Sequence, residues 1–187
     1  MEKIILIETS TSLCSVALAE GETVTAYRES SAPKAHASLT AVFVQEVLEE
    51  RGLKLSDCDA VCVSKGPGSY TGLRVGVSTA KGLCFGSGLP LIAVGTLDTL
   101  VAQAADQTAS SFKYIIPMID ARRMEVYSAV FAPEGTQITE TSPVIVDENS
   151  FADYLEQGAC LFIGDGAGKC ADVIKHPNAS FIQCNPK

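Results

Sequence analysis

The amino-acid sequence predicts an α/β protein built from two similar halves. Its 187 residues are enough to bury one domain core or two small ones. The order of three strands, a helix, a strand and a helix is predicted twice along the chain. The first strand of each half ends on an acidic residue, Glu8 in one and Asp120 in the other. The halves share few identical residues, so the repeat is one of architecture.

The first half is predicted from short apolar segments separated by turns. Its predicted strands are 3–8, 14–19, 23–28, 60–64 and 91–94, and its helices are 37–51, one from a glycine-rich loop to about 85, and one capped by Thr96. The short turns make the first three strands antiparallel neighbours. The strand after the first helix is expected to lie parallel to its neighbour, through a right-handed crossover.

The second half begins after a polar stretch at 106–111, which we take as the junction between domains 1–105 and 106–187. Its predicted strands are 114–119, 125–131 and 137–141, then 160–163, and its helices are one capped by Asn149 or Ser150 that ends at 157 and one over 167–174. Two such halves facing each other make a two-lobed, actin-like (ribonuclease H-like, ASKHA) fold with mixed sheets. Its ligand site is expected in the cleft between the lobes.

Composition excludes several classes of protein. The net charge of -8 argues against a surface that grips nucleic acid by itself, because such binding needs clustered Lys and Arg. Seven scattered cysteines without a Cys-x-x-Cys pattern suit reduced core thiols and give no zinc motif. No segment has the roughly 18 apolar residues of a membrane span, and no export signal is recognisable. We therefore expect a cytoplasmic protein with no membrane contact.

A glycine-rich loop at 65–76 connects a predicted strand to a helix. Its spacing fits neither a Walker A loop, nor a dinucleotide fingerprint, nor a nucleophile elbow. Two interpretations remain for the loop: an anion or nucleotide site, or a tight turn that brings the helix close to its neighbours. Thr71 is expected to cap the helix. The residues that an anion or nucleotide site would use are Gly66, Gly68, Ser69, Thr71, Arg74 and Asp165.

Two predicted helices carry surfaces that need a close neighbour. Gly72, Gly76, Ala80 and Cys84 recur every fourth residue and form one ridge of small side chains. The helix at 37–51 has a second apolar side that includes Val44 and Leu48. A neighbouring element of the same chain or a helix of a partner protein could cover these six residues. We predict them as the partner interface.

The segments 7–18 and 64–76, with the helix that follows, resemble the TsaB (YeaZ) family and its paralogue TsaD. The resemblance is close over 3–98 and looser beyond, where 120–123, Tyr127 and 164–167 still match. The catalytic paralogue carries a His-x-x-x-His pair that holds a metal. Here Thr40 follows His36 at that spacing, and the other histidine, His176, is distant. The resemblance is therefore to TsaB, without metal ligands or catalytic residues.

The resemblance implies an accessory subunit for synthesis of threonylcarbamoyladenosine in tRNA. Its implied partners are a TsaD-like catalytic subunit and a TsaE-like P-loop ATPase, with tRNA contacted through them and a homodimer when the chain is alone. No cofactor is expected, with ATP or ADP bound only weakly or in the complex. Relative to the family, the second lobe is expected to lack a terminal helix and tail. An actin-like ATPase or phosphotransferase is the alternative, and a metallopeptidase would need ligands that the sequence lacks.

Overall fold

The computed structural model describes residues 1–33, 35–105 and 111–187. They form two compact units, Met1–Gly95 together with Lys187, and Thr96–Pro186. The helix that follows Gly95 therefore groups with the second unit, whereas the predicted division at 105 had placed it in the first. Most of the predicted junction, 106–110, lies outside the described residues.

The first unit is a five-stranded mixed sheet with two long helices. Its elements are β1 (Lys3–Glu8), β2 (Cys14–Glu20), β3 (Thr23–Ser30), α1 (Ala35–Glu50), β4 (Ala60–Ser64), α2 (Tyr70–Ser87) and β5 (Leu91–Val94). The strand order is β3-β2-β1-β4-β5. As predicted, β1 to β3 are antiparallel, and β4 is parallel to both β1 and β5.

The second unit repeats this topology. Its elements are α3 (Thr96–Ala105), β6 (Tyr114–Asp120), β7 (Glu125–Ser128), β8 (Ser142–Ile145), α4 (Ala152–Leu155), β9 (Cys160–Ile163), α5 (Ala167–Cys170) and β10 (Ala179–Ile182). The sheet order β10-β9-β6-β7-β8 is that of the first unit, with β6 in the place of β1. The predicted fold class, a duplicated βββαβα arrangement with mixed sheets, is confirmed.

The prediction was wrong for the third strand of the second half, which is β8 rather than 137–141. Before β8, Gln137 forms an isolated antiparallel bridge with Phe131, and the Ile138 N–H donates to the Val130 carbonyl (2.7 Å). Side-chain bonds lie beside this short pairing: the Gln137 side-chain amide donates to the Thr139 carbonyl (2.7 Å), and the Thr139 hydroxyl accepts the Val130 N–H (2.9 Å). Such side-chain bonds to the backbone compete with a sheet ladder. The helices of this half are also shorter than predicted, at four residues each for α4 and α5.

The first-unit core lies between the sheet and the helix pair α1 and α2. Ile5, Ile7, Val61 and Val63 point from β1 and β4 into this core, because alternate residues of a strand share one face. The second unit has apolar clusters on both sides of its sheet, one with α3 and the other with α4 and α5. In the first unit, the sheet therefore fixes where α2 and its preceding loop lie.

Candidate functional site

Polar residues are buried where β1 ends, beside the end of β4. The run from Glu8 to Thr11 is at most 6% exposed. One oxygen of the Glu8 carboxylate accepts the Ser10 N–H (2.6 Å), and the other accepts the Ser64 hydroxyl. Burial raises the pKa of Glu8 against the opposing effect of these hydrogen bonds. The carboxylate is thus enclosed and bonded within its own unit.

The raised pKa of Glu8 predicts how stability depends on pH. Between the ordinary pKa of a glutamate and the raised value, the folded chain binds more protons than the unfolded chain. The contribution of Glu8 to the free energy of unfolding should therefore fall as pH rises through this window. Glu8→Gln should flatten the dependence of the free energy of unfolding on pH in this window. Urea unfolding at several pH values measures this dependence. Asp165→Asn is the comparison variant, because burial also raises the pKa of this carboxyl, which belongs to the second unit. An unchanged slope in Glu8→Gln would contradict this assignment.

The glycine-rich loop is pressed against the end of β1. The Ser69 N–H donates to the Ser10 carbonyl (2.6 Å), and a Cβ on Gly68 would overlap that carbonyl. Ser69, not Thr71 as predicted, caps α2, because its hydroxyl accepts the Gly72 N–H (3.3 Å). The Ser69 amide is thus already bonded, and the geometry favours the tight-turn interpretation of the loop.

The other predicted anion or nucleotide residues lie elsewhere. Thr71 and Arg74 are exposed on α2, where the Arg74 guanidinium is 5.3 Å from the centre of the Tyr70 ring. Asp165 belongs to the second unit, where its carboxylate accepts the Asp120 N–H (2.9 Å). Within either unit, these residues do not converge on one anion site.

The six residues predicted as the partner interface are covered by the chain itself. All are buried: Gly72, Gly76, Ala80, Cys84, Val44 and Leu48. A Cβ on Gly72 would overlap the Thr9 carbonyl oxygen, and one on Gly76 would overlap the Thr9 hydroxyl. The Thr9 hydroxyl also donates to the Gly72 carbonyl (2.8 Å). The prediction is therefore corrected: the ridge is slim so that α2 can approach β1, and these atoms are not available to a second chain.

The opposite side of α2, which we call the outer α2 face, is unpartnered within the described residues. We define it by Thr71, Arg74, Ser78, Gly82, Phe85 and Gly86, all exposed. Phe85 is 95% exposed, and no described atom lies within 4 Å of a Cβ placed on Gly82 or Gly86. A groove of about 290 Å³ is lined by Thr71, Arg74, Val75 and Ser78. On α1, which packs beside α2, Val42 is 43% exposed.

The sequence analysis missed Phe85 and Gly82 as candidates. Both stand on the side of α2 away from the ridge, as a wheel of 100° per residue drawn from Gly72 shows. That wheel could have placed Gly82 and Phe85 on a different side of the helix from the ridge. Only the structure shows which side of α2 the sheet covers.

His36 and Thr40, at the spacing of a metal pair, serve packing. The His36 ring nitrogen Nε2 is 2.9 Å from the Thr11 carbonyl. The buried Thr40 hydroxyl donates to the His36 carbonyl (2.6 Å) and lies 3.4 Å from the Cys14 sulfur. Among the described residues, no group of three or more His, Cys, Asp or Glu is placed to hold a metal ion.

In those same parts of the chain, no helix combines the length and apolar character that crossing a bilayer requires.

Comparisons with known proteins place these features in a family. The model of TsaD, tRNA N6-adenosine threonylcarbamoyltransferase, matches residues 28–159. The TsaB tRNA threonylcarbamoyladenosine biosynthesis protein of Escherichia coli is 38% identical over 78% of this chain, and that of Bacillus subtilis is 33% identical over 82%. The aligned parts span 63% and 64% of those two relatives. The structure of YeaZ from Pseudomonas aeruginosa is 27% identical with a TM-score of 0.81, and the match covers 100% of this chain and 86% of that one.

Proposed function

Since the chain belongs to the family of tRNA threonylcarbamoyladenosine proteins that includes TsaB and TsaD, we propose that it is a non-catalytic subunit. In this role it pairs with a TsaD-like protein, which transfers the threonylcarbamoyl group to the tRNA adenosine next to the anticodon. The pair works in the cytoplasm. This chain supplies a docking surface and no reacting group.

The observation that carries the proposal is the outer α2 face. Phe85 is 95% exposed on a surface helix. Burial of an aromatic ring lowers the free energy, and Phe85 gains this only when a partner covers it. Gly82 lies inside the helix and costs about 1 kcal/mol relative to alanine. Packing among the described residues does not require a glycine at position 82. A partner's helix that approaches closely beside Phe85 would account for both residues.

A TsaD-like protein is the partner that this face suits best. The chain matches the TsaD family model over residues 28–159, which include α1 and α2, so the partner has an equivalent helix pair. Two related helix pairs can then pack in a nearly symmetric, isologous way. Polar residues on the face and beside it, among them Arg74 and Lys81, would form hydrogen bonds around the apolar centre of such a contact.

The remaining partners follow from the same arrangement. The outer α2 face of one copy can pack on that of another, which gives a homodimer when the TsaD-like subunit is absent. A TsaE-like P-loop ATPase would join the assembled pair. No cofactor is assigned to this chain, and we expect calorimetry of the isolated chain to detect no ATP binding, because the Ser69 amide in the glycine-rich loop is already bonded to Ser10.

Reconstitution tests the proposal directly. The chain and a TsaD-like subunit are mixed, and the mass of the complex is measured by light scattering during size-exclusion chromatography. Modification of tRNA is then assayed with the complete set of subunits and with each one left out. We expect a stable complex and an activity that requires this chain although it has none alone. Failure to form a complex, or activity of this chain without its partner, would contradict the proposal.

A further inference from the structure

Two consecutive arginines occupy an unusual backbone conformation between β6 and β7. Arg122 and Arg123 have φ angles of 68° and 45°. Positive φ costs an ordinary residue roughly 1–2 kcal/mol, so turns at such positions are dominated by glycine and asparagine. Both side chains are exposed, and among the described residues neither guanidinium has a hydrogen bond or an ion pair. No contact among the described residues of this unit therefore explains why arginines stand here.

Hydrogen bonds from one lysine hold the turn in this conformation. The Lys169 ammonium, on α5, donates to the carbonyls of Arg123 (2.8 Å) and Glu125 (2.7 Å) and pairs with the Asp120 carboxylate. That carboxylate also accepts the Arg122 N–H (2.8 Å). A strained segment that several bonds hold in place is characteristic of binding sites.

Nearby carboxylates do not neutralise the two guanidinium groups. Asp120 is bonded to Lys169 and to the backbone of the turn, and Asp165 accepts the Asp120 N–H beneath it. Two planar cationic groups thus project from a fixed backbone into solvent. Guanidinium groups match the oxygens of a phosphate in a two-pronged way that lysine cannot reproduce.

We propose that the Arg122–Arg123 turn binds backbone phosphates of RNA. This inference rests on the proposed function, in which the complex works on tRNA. A phosphate contact needs only exposed, positioned cations, whereas a protein interface needs a dry apolar centre. Residues 121–124 of the turn include no exposed large apolar residue; the exposed Ile145 lies beside the turn, on β8 opposite Glu125. Among the described residues, both guanidinium groups are left for such a contact. In a chain of net charge -8, such a turn contributes a local contact while the partner supplies most of the RNA affinity.

The test uses a double variant that suits the turn better than the natural residues do. Arg122→Asn with Arg123→Gly places residues that tolerate positive φ at both positions, so we expect an equal or higher melting temperature. RNA binding of the reconstituted complex should nevertheless weaken about 10-fold. The slope of log K against log salt should fall by about 1 to 2, since one or two phosphate contacts are lost. The control is Lys54→Gln with Lys175→Gln, which removes the same charge from two other exposed positions.

Fluorescence anisotropy with a labelled anticodon stem-loop and with an unrelated RNA of equal length gives the affinities. Both RNAs should show the same loss, because phosphate contacts carry no sequence information. The measurement is repeated with the isolated chain at low salt, so that it remains informative if no complex forms. Complex formation is scored separately by elution volume, which tests the proposed function. Equal RNA affinity of the double variant and the wild type, or a loss confined to binding of the protein partner, would overturn the inference.

Discussion

Replacing Gly72 with alanine is expected to destabilise the first unit by about 3 kcal/mol, near the upper end for overpacked sites. The added Cβ would overlap the carbonyl oxygen of Thr9, which is backbone and cannot rotate away. Relief would require α2 to move off β1, which breaks the bond from the Thr9 hydroxyl to the Gly72 carbonyl. Urea unfolding followed by circular dichroism measures the change.

Gly82→Ala in the same helix is the matched control, with the opposite sign. Its Cβ meets open space among the described residues, and alanine is favoured over glycine inside a helix by about 1 kcal/mol. The isolated chain should therefore become more stable. If both substitutions shifted the unfolding midpoint in the same direction, the assignment of an inner and an outer side to α2 would be wrong.

Replacing Phe85 with alanine is expected to weaken binding of the TsaD-like subunit by at least about 30-fold, or about 2 kcal/mol, as for an aromatic anchor at the centre of an interface. At concentrations where the isolated chain is monomeric, it should keep its stability, because the ring is almost fully exposed and alanine is a better helix former. Titration calorimetry with the partner, alongside thermal unfolding of each variant, separates the two effects.

Ile145→Ala supplies the comparison for Phe85. Ile145 is 77% exposed on β8 of the second unit, so its loss removes a similar apolar surface from a different element. The Ile145→Ala variant should bind the partner with the same affinity as the wild type. Equal affinities for wild type and Phe85→Ala would show that the partner binds elsewhere.

The fold was predictable because its signals are local. The apolar run 3–8, the short turns after it and the helix between two buried strands determine strand direction and neighbours without knowledge of distant contacts. The prediction failed at 137–141, where residues of high strand propensity form an isolated bridge and side-chain bonds to nearby backbone in place of a continuous ladder. The cap of α2 was likewise displaced by two residues, from Thr71 to Ser69.

The sequence alone established a duplicated α/β topology, an acidic chain and a helix with a ridge of small residues. Only the tertiary structure decided which side of that helix is inside. Spacing every fourth residue shows that a close neighbour is needed, but periodicity does not say whether that neighbour is the chain's own strand or another protein. Thr9, more than 60 residues away along the chain, occupies the ridge. Phe85 and Gly82 are therefore left facing outward, because one side of a helix is exposed once the other is packed.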